Sequence, residues 1–298
     1  MRKIIILCLL TIVNSLNARY VYELSVGMMF RDEAPYLKEW IEFHRLVGVE
    51  HFYLVNNKSV DNYISVLKPY IRSGIITLLH ENEDTAQGWS HIQINAYNKI
   101  IRRAKGETKW LALLDADEFL TPTQDASLCT ILKEYEDFGG VYVFWQNFGT
   151  SHVQKIPDNK LLIEVLTMQA DIHNFWNHWG KSIVRPERVK ACDLHFHRYV
   201  EPFYHVDTNK QPLPDFASFE GKDLTVIPTF AIDISRMRIN HYWTRHEEYF
   251  NDVKIARVKR WSASTPEIVE KANSFNHHQD TTIARFIEPL KARLGITT

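Results

Sequence analysis

The sequence predicts an α/β fold built on a doubly wound, mostly parallel sheet. Short apolar runs alternate with segments of helical periodicity from Tyr22 onward, and this alternation repeats several times. Repeated β-α-β units favour parallel strands joined by right-handed crossovers. The predicted strands cover residues 24–29, 52–55, 75–79, 110–114 and 141–145. From about residue 150 the pattern becomes mixed and richer in His, Trp and Pro, which predicts a differently built C-terminal region.

The first predicted helix covers residues 33–47. It begins with Pro35 in its first turn and is followed by Gly48, where a left-handed C-cap is typical. Its apolar stripe consists of Leu37, Trp40, Ile41, His44 and Val47. This spacing predicts that one face of the helix packs on the sheet.

Two further helices follow the same logic. One covers residues 60–72 and ends before Gly74, and another begins near Trp89 and stops at Gly106. The second of these leads into the apolar strand 110–114, which predicts that the residues directly after it lie at the carboxyl edge of the sheet.

Asp115 and Asp117 follow that strand with one small residue between them. If the segment is extended, side chains at i and i+2 share one face and lie roughly 6.6 Å apart along the strand. Hard cations such as Mg²⁺ or Mn²⁺ prefer carboxylate, water and phosphate oxygens. The pair therefore predicts a site for a metal and a phosphorylated ligand, and the alternative is that these acids cap a helix or face solvent.

Composition and motifs exclude several classes of protein. The 298 residues include 35 basic and 36 acidic side chains, with a formal net charge of -1, so no global field favours nucleic acid. Neither a G-x-G-x-x-G pattern nor a P-loop is present. This argues against a dinucleotide dehydrogenase and against a Walker-type ATPase, because both need glycines where backbone amides meet phosphate.

Residues 1–18 have the three regions of a signal peptide, with Arg2 and Lys3 preceding an apolar stretch. The apolar core is about half the length of a spanning helix, which needs about twenty residues. We expect a cleaved signal peptide or a short anchor, and hence an exported or membrane-associated protein. If residues 1–18 are neither, the protein is expected in the cytoplasm. Cys129 and Cys192 either form one bridge or are two ordinary buried thiols.

Several segments, taken in their order and spacing, resemble glycosyltransferase family 92 and the related family-2-like proteins over residues 24–290. They are Arg31–His44, Gly48–Tyr53, Asn56–Asn57, Ser59–Asn62, Lys109–Trp110, Asp115–Leu120 and Asn240–Trp243. The resemblance implies a GT-A fold over residues 19–298. It divides into a nucleotide-sugar-binding half, 19–150, and an acceptor-side half, 151–298.

What the resemblance implies for chemistry is transfer of a sugar from a nucleotide-sugar donor to a hydroxyl of a glycan or glycoconjugate. The implied donor is a UDP-hexose, and the implied stereochemistry is inversion. A divalent metal, Mn²⁺ or Mg²⁺, would be held by Asp115 and Asp117, with His241 returning from the C-terminal region as a further ligand. Imidazole suits Mn²⁺ and is tolerated beside carboxylates.

By the same resemblance, loops after the first two strands meet the base and ribose of the nucleotide. The implied residues are Arg31, Asp32, Glu33, Asn57 and Asp61. The alternative for Asp32 and Asp61 is helix capping, which we favour for Ser59. An inverting enzyme also needs a base for the acceptor hydroxyl, and Asp171 and Glu201 are the candidates.

Other residues have two interpretations each. Some of the four tryptophans Trp145, Trp176, Trp179 and Trp243 would stack on sugar rings, or all four are core. Lys181 and Arg185 either contact donor phosphate or form surface ion pairs. His195 and His197 would share a strand face and could bind zinc with a third ligand.

Two competing functions are considered. One is a phosphotransferase with an aspartyl nucleophile in the D-x-D motif. The other is a non-catalytic GT-A-like protein that binds carbohydrate or nucleotide.

Overall fold

The computed structural model describes residues 20–82, 88–124, 127–213, 231–259 and 264–296. The leader predicted over residues 1–18 lies outside the described residues, so it stays a prediction. No helix within the described ranges combines the length and the apolar character needed to cross a bilayer.

The described chain alternates strands and helices, as the sequence predicts. The strands are β1 (Tyr22–Phe30), β2 (His51–Asn56), β3 (Ile76–His80), β4 (Thr108–Leu113), β5 (Glu118–Pro122), β6 (Gly140–Asn147), β7 (Met168–Gln169), β8 (Gly180–Val184), β9 (Val189–Cys192), β10 (His197–Tyr199), β11 (His205–Val206), β12 (Met237–His241) and β13 (His278–Gln279). The helices are α1 (Ala34–Leu46), α2 (Tyr63–Arg72), α3 (Trp89–Ala104), α4 (Leu128–Leu132), α5 (Leu162–Val165), α6 (Glu247–Tyr249), α7 (Ile255–Lys259), α8 (Thr265–Asn273) and α9 (Ile287–Leu294), with a π-helical turn over Phe250–Lys254.

The main sheet has the strand order β3-β2-β1-β4-β8-β6-β12-β5, and β11 pairs with β6. Pairs β1-β2, β2-β3, β1-β4, β6-β12 and β6-β11 are parallel, whereas β8 runs antiparallel to β4 and β6, and β5 antiparallel to β12. The predicted α/β fold with a mostly parallel sheet is confirmed. Strands β8 and β12 come from beyond residue 150, so both predicted halves of the chain contribute to one sheet.

Strands β1, β2, β4, β6 and β12 all run in the same direction. Strand β8 is antiparallel to both β4 and β6, so β4 and β6 are parallel to each other. Their carboxyl ends therefore meet at one edge of the sheet, which we call the carboxyl edge. Ligands of open α/β sheets bind outside this edge.

Helix α1 forms the predicted apolar face, and its stripe is buried against the sheet. Two side chains on this face also bind the β5 backbone. The Trp40 indole N–H donates to the carbonyl of Glu118 at 2.7 Å, and His44 Nε2 accepts from the Leu120 amide at 3.1 Å. Strand β5, which follows the two aspartates, is thus fixed to α1.

Burial lowers the pKa of His44 to about 3, so the imidazole is neutral. Its Nδ1 lies 2.8 Å from the Trp40 carbonyl and donates to it, since Nε2 is already an acceptor.

His44→Leu should reduce the free energy of unfolding by about 1–3 kcal/mol at pH 7, because the buried Leu120 amide loses its acceptor. The deficit should shrink as the pH falls below about 6.5. In that pH range the unfolded wild type takes up a proton at His44 and the folded form does not. Acidification therefore lowers the stability of the wild type through this residue and has no such effect on the variant. Urea denaturation at pH 7 and pH 5 measures both effects.

His152→Leu is the matched control, because the His152 side chain is 76% exposed. A deficit in His44→Leu no larger than that of His152→Leu would contradict this role.

Candidate active site

Asp115 and Asp117 lie in a turn between β4 and β5, with Ala116 and Asp117 forming the turn itself. The expectation of an extended segment is therefore wrong. A strand cannot continue here because β5 must leave in another direction to pair with β12 at the far side of the sheet. The two carboxylates consequently have separate surroundings.

Asp115 is bound by helix α3 and strand β8. Its Oδ1 accepts from Gln93 Nε2 at 2.6 Å and from the Tyr97 hydroxyl at 3.2 Å. Its Oδ2 lies 3.0 Å from Lys181 Nζ. Lys181 is buried, so of the two interpretations of this lysine the surface ion pair is wrong. Lys181 is a buried cation at the carboxyl edge.

Asp117 faces the C-terminal part of the chain. Its Oδ2 lies 3.1 Å from Lys254 Nζ, and its Oδ1 lies 3.6 Å from His241 Nε2. Burial alone would raise the pKa of Asp117, but the Lys254 ammonium and then His241 hold it well below its usual range. Burial lowers the pKa of His241. The pair is therefore an ionised carboxylate beside a neutral imidazole, and the buried His241 Nδ1 has no hydrogen-bond partner in the part of the chain that the structure describes.

The donor set of Asp117 and His241 fits a divalent metal. One carboxylate oxygen and one neutral imidazole nitrogen suit Mn²⁺, and hard cations commonly use only one or two protein ligands together with substrate phosphates. Among the described residues, Asp171, His277 and His278 place three ligand atoms within 4.8 Å of one another and Asp115, Asp117 and His241 do not, so the role of Asp115 as a third ligand stays a prediction.

Glu118 completes the turn. Its Oε2 accepts from the Asp115 amide at 2.8 Å, and its buried Oε1 has no hydrogen-bond partner among the described residues. Burial, opposed by Lys181, raises the pKa of Glu118 well above its usual range. The Glu118 side chain therefore supports the turn behind the two aspartates.

The residues implied to meet the nucleotide do gather at the carboxyl edge, but most of their polar atoms already have partners. Arg31 Nε donates to the Asn57 carbonyl at 2.8 Å and its guanidinium lies over the Trp89 ring at 5.4 Å. Asn57 Nδ2 in turn donates to the Glu81 carbonyl at 3.1 Å. Arg31 and Asn57 thus join the loop after β1 to the loop after β2.

Asp32 and Asp61 connect the same two loops. Asp61 Oδ2 accepts from the Ala34 amide at 2.7 Å and Asp61 Oδ1 accepts from the Tyr63 amide at 3.3 Å, so this carboxylate binds the first turns of both α1 and α2. The Asp32 amide donates to Ser59 Oγ at 3.0 Å. Ser59 therefore does not cap α2, which begins at Tyr63, and the favoured capping role for Ser59 is wrong.

Glu33 is buried in an ion-paired cluster. Its carboxylate binds Arg245 and lies 3.1 Å from Arg257. The Arg245 guanidinium lies between two rings, 3.6 Å from the centroid of Tyr36 and 4.5 Å from that of Tyr249. Each oxygen of this carboxylate has one arginine partner, and contact of Glu33 with a ribose stays a prediction.

The two candidates for the general base, Glu201 and Asp171, lie at opposite edges of the main sheet. Glu201 is exposed and precedes Tyr204, whose carbonyl accepts from the Gly139 amide at the start of β6. The structure thus places Glu201 at the amino edge of β6, away from the aspartates. Asp171 lies at the carboxyl edge, but hydrogen bonds from the His173 amide and then from His278 lower its pKa, which makes it a weak base.

Two lysines that no sequence motif marks lie in this region, Lys254 beside Asp117 and Lys271 beside Trp176 and Trp243. Lys271 Nζ lies 3.5 Å from the ring centroid of Trp176 and 4.3 Å from that of Trp243, and Lys254 Nζ lies 4.8 Å from the Trp243 ring. Burial and then the Lys254 charge lower the pKa of Lys271 to about 7. Both lysines come from helical turns without any recognisable motif.

The other two tryptophans lie near the histidines of this edge. The Trp145 ring lies 4.2 Å from that of His241 and 5.4 Å from that of His195, and Trp179 lies 5.1 Å from His195. Strand β10 begins only at His197, so the expectation that His195 and His197 share a strand face is wrong. His195 Nδ1 instead lies 2.9 Å from the Gly180 carbonyl.

Arg185 and the cysteines lie outside this site. Arg185, at the far end of β8, packs over the rings of Trp110 and Tyr20 at 5.3 and 5.6 Å. Cys129 and Cys192 are both free thiols.

The fold and the site together define an α/β protein. Its carboxyl edge holds carboxylates that are each paired with a lysine, an arrangement suited to an anionic ligand. The chain belongs to glycosyltransferase family 92, whose family model matches residues 22–290. The resemblance seen in the sequence is therefore confirmed.

Two relatives illustrate the family, and both are from Arabidopsis thaliana. A glycosyltransferase family 92 protein is 24% identical over 71% of this chain and 39% of its own length. A galactan beta-1,4-galactosyltransferase is 34% identical over 64% of this chain and 40% of its own length. The chain thus spans less than half the length of these relatives. Among solved structures, S. aureus TarS 1-349 in complex with UDP has a TM-score of 0.36 at 12% identity, covering 55% of this chain and 47% of that one.

Lys181→Met should lower the free energy of unfolding by about 1–3 kcal/mol, because Asp115 loses its cation while its side chain is 32% exposed. Asp115→Asn/Lys181→Met should recover part of that loss, since neither partner is then left as an unpaired charge. Thermal and urea denaturation measure the free energy of unfolding of the wild type and of both variants.

Lys210→Met is the control, because its pair with Glu134 is exposed on both sides and should cost less than about 1 kcal/mol. A double variant less stable than Lys181→Met would contradict the pairing.

Proposed function

We propose that this chain transfers a hexose from a UDP-sugar donor to a hydroxyl of a glycan or glycoconjugate, with a divalent metal and with inversion. The observation that carries the proposal is the convergence of Asp117, His241, Lys254 and Lys271 at the carboxyl edge of the sheet. Family membership supports the same reaction class.

Asp117 and His241 would hold the metal, Mn²⁺ or Mg²⁺. When bound, such an ion supplies Lewis-acid stabilisation of the charge that develops on the departing diphosphate. Asp117 is ionised and His241 is neutral, so both are in the protonation state that a ligand needs.

The lysines would bind the diphosphate. Lys254 Nζ and Lys271 Nζ lie 4.8 and 4.3 Å from the centroid of the Trp243 ring, so both ammonium groups belong to the group of side chains around Asp117 that we call the cleft. Two positive charges at this distance from a metal-binding carboxylate complement a diphosphate. Lys181 holds Asp115 and thereby keeps the turn that carries Asp117 in place.

The donor to test first is UDP-galactose, since one relative is a galactan beta-1,4-galactosyltransferase. Trp145 supports a sugar subsite beside the metal ligands. Its ring lies 4.2 Å from His241, and its buried indole Nε1 has no hydrogen-bond partner.

A non-catalytic nucleotide-binding role is the second candidate. The observation that favours it is the position of the base candidates: Glu201 lies at the other edge, and Asp171 has a lowered pKa. Nucleotide binding without turnover of any acceptor would distinguish this role from catalysis.

Asp117→Asn should weaken metal-dependent UDP binding by about tenfold or more and abolish sugar transfer, because the metal loses its ionised ligand. Calorimetric titration of UDP with and without Mn²⁺ measures the binding, and UDP release from UDP-galactose over an acceptor panel measures transfer. Asp158→Asn is the control, since Asp158 is an exposed carboxylate in a loop. Wild-type binding and transfer in Asp117→Asn would refute the proposal.

The affinity for UDP should fall as the pH rises through about 7. The free protein loses the Lys271 proton in that range, and the diphosphate binds the charged form, so binding must take up a proton. Lys271→Arg should bind UDP with a flatter pH profile, because the guanidinium stays charged. Calorimetry between pH 6 and 8.5 makes the comparison, and identical profiles for the two proteins would contradict the role of Lys271.

A further inference from the structure

A second group of metal-ligating side chains lies on the rim of the cleft. His277 Nδ1 and His278 Nε2 are 2.8 Å apart, and His278 Nε2 lies 3.4 Å from Asp171 Oδ2. Ligands of a tetrahedral Zn²⁺ with bonds of about 2.0–2.1 Å are about 3.3 Å apart. One of these two distances is close to that value and the other is shorter, and all three donor atoms lie within 4.8 Å of one another, so small side-chain shifts would bring them around a single ion.

The backbone fixes this arrangement. Strand β13 pairs antiparallel with β7, with His278 opposite Gln169. On either side of that pair, the His277 amide donates to the Gln169 carbonyl at 3.0 Å and the Asp280 amide donates to the Thr167 carbonyl at 2.8 Å. His278 therefore lies on a paired strand, and His277, directly before it, is held by a backbone hydrogen bond to the same partner segment.

Asp171 is oriented as well. Its Oδ1 accepts from the His173 amide at 2.9 Å, which turns Oδ2 towards His278. Such a hydrogen bond to a ligand's second oxygen is typical of metal sites. The side chains of Asp171 and His278 are 45% and 55% exposed, so an ion can reach them from solvent.

We propose that Asp171, His277 and His278 form a zinc site that is separate from Asp117 and His241. Two imidazoles and one carboxylate favour Zn²⁺ over Mg²⁺ or Ca²⁺, which prefer oxygen ligands, and a water would complete the tetrahedron. In this role Asp171 is a metal ligand and not the general base.

The zinc site would connect β13 of the C-terminal region to the segment that follows β7. Helix α8 ends at Asn273, four residues before His277, and it carries Lys271 into the cleft between Trp176 and Trp243. Zinc bound across β7 and β13 would therefore hold the end of this helix against the loop that carries Trp176. Metal binding at the rim would order one wall of the cleft.

Calorimetric titration of ZnCl₂ into the full chain tests the site, with His277→Ala/His278→Ala as the variant. We expect the wild type to bind one more equivalent of Zn²⁺ than the double-histidine variant. Asp171→Asn should lower the affinity for that ion by about tenfold or more. His152→Ala is the control for an exposed histidine elsewhere and should keep the full stoichiometry. Far-UV circular dichroism verifies that each variant is folded.

Hydrogen exchange gives a second readout. Zn²⁺ should slow exchange over residues 264–280 in the wild type and leave the double-histidine variant unchanged. Equal zinc stoichiometry in the wild type and in His277→Ala/His278→Ala would overturn the proposal. So would zinc binding that disappears in Asp117→Asn, because the ion would then belong to the other pair.

Discussion

The carboxyl edge depends on one constraint: a buried carboxylate must have a cation or hydrogen-bond donors beside it. Glu33 binds Arg245, which is 212 residues away, and Asp117 binds Lys254, which is 137 residues away. An unpaired charge left by removing one partner of a buried pair typically costs about 3–5 kcal/mol. The first half of the chain therefore cannot present these acids correctly until the C-terminal region has folded onto it. The cleft and the fold are formed by the same interactions.

A second set of contacts gives the cleft a rigid floor. Trp40 and His44 bind the backbone of β5, while Glu118 braces the amide of Asp115. The indole of Trp40 and the imidazole of His44 are neutral, so they hold β5 without adding charge near the aspartates. Precise placement of catalytic groups requires such supporting contacts, because small displacements of a reacting group reduce rates strongly. Helix α1 is thus part of the site although it contributes no ligand to it.

The sequence predicts local and periodic features well here and long-range pairing poorly. The apolar stripe of α1 and the β-α-β order depend on neighbours within one element, so periodicity reveals them. Asp61 binds the first amide of its own helix, as a local pattern can indicate, but its second oxygen binds the first amide of α1, which only the packing of the two loops determines. Lys254 and Lys271 carry no motif, and only the packing of their helices beside Trp243 selects them. Such partners are fixed by tertiary structure, which local pattern does not record.

The lysines also explain how the site can remain stable with no ligand and still bind one. Lys254 now lies against Asp117, in the position where a cation is needed to balance that carboxylate. Under the proposed function, Asp117 would hold a divalent ion, and the Lys254 ammonium would then be available to bind the diphosphate. Lys271, whose pKa of about 7 leaves it only partly charged, would gain a proton on binding the anion. Metal, diphosphate and proton are therefore expected to bind together, because each of them removes the repulsion or the unpaired charge that another would create.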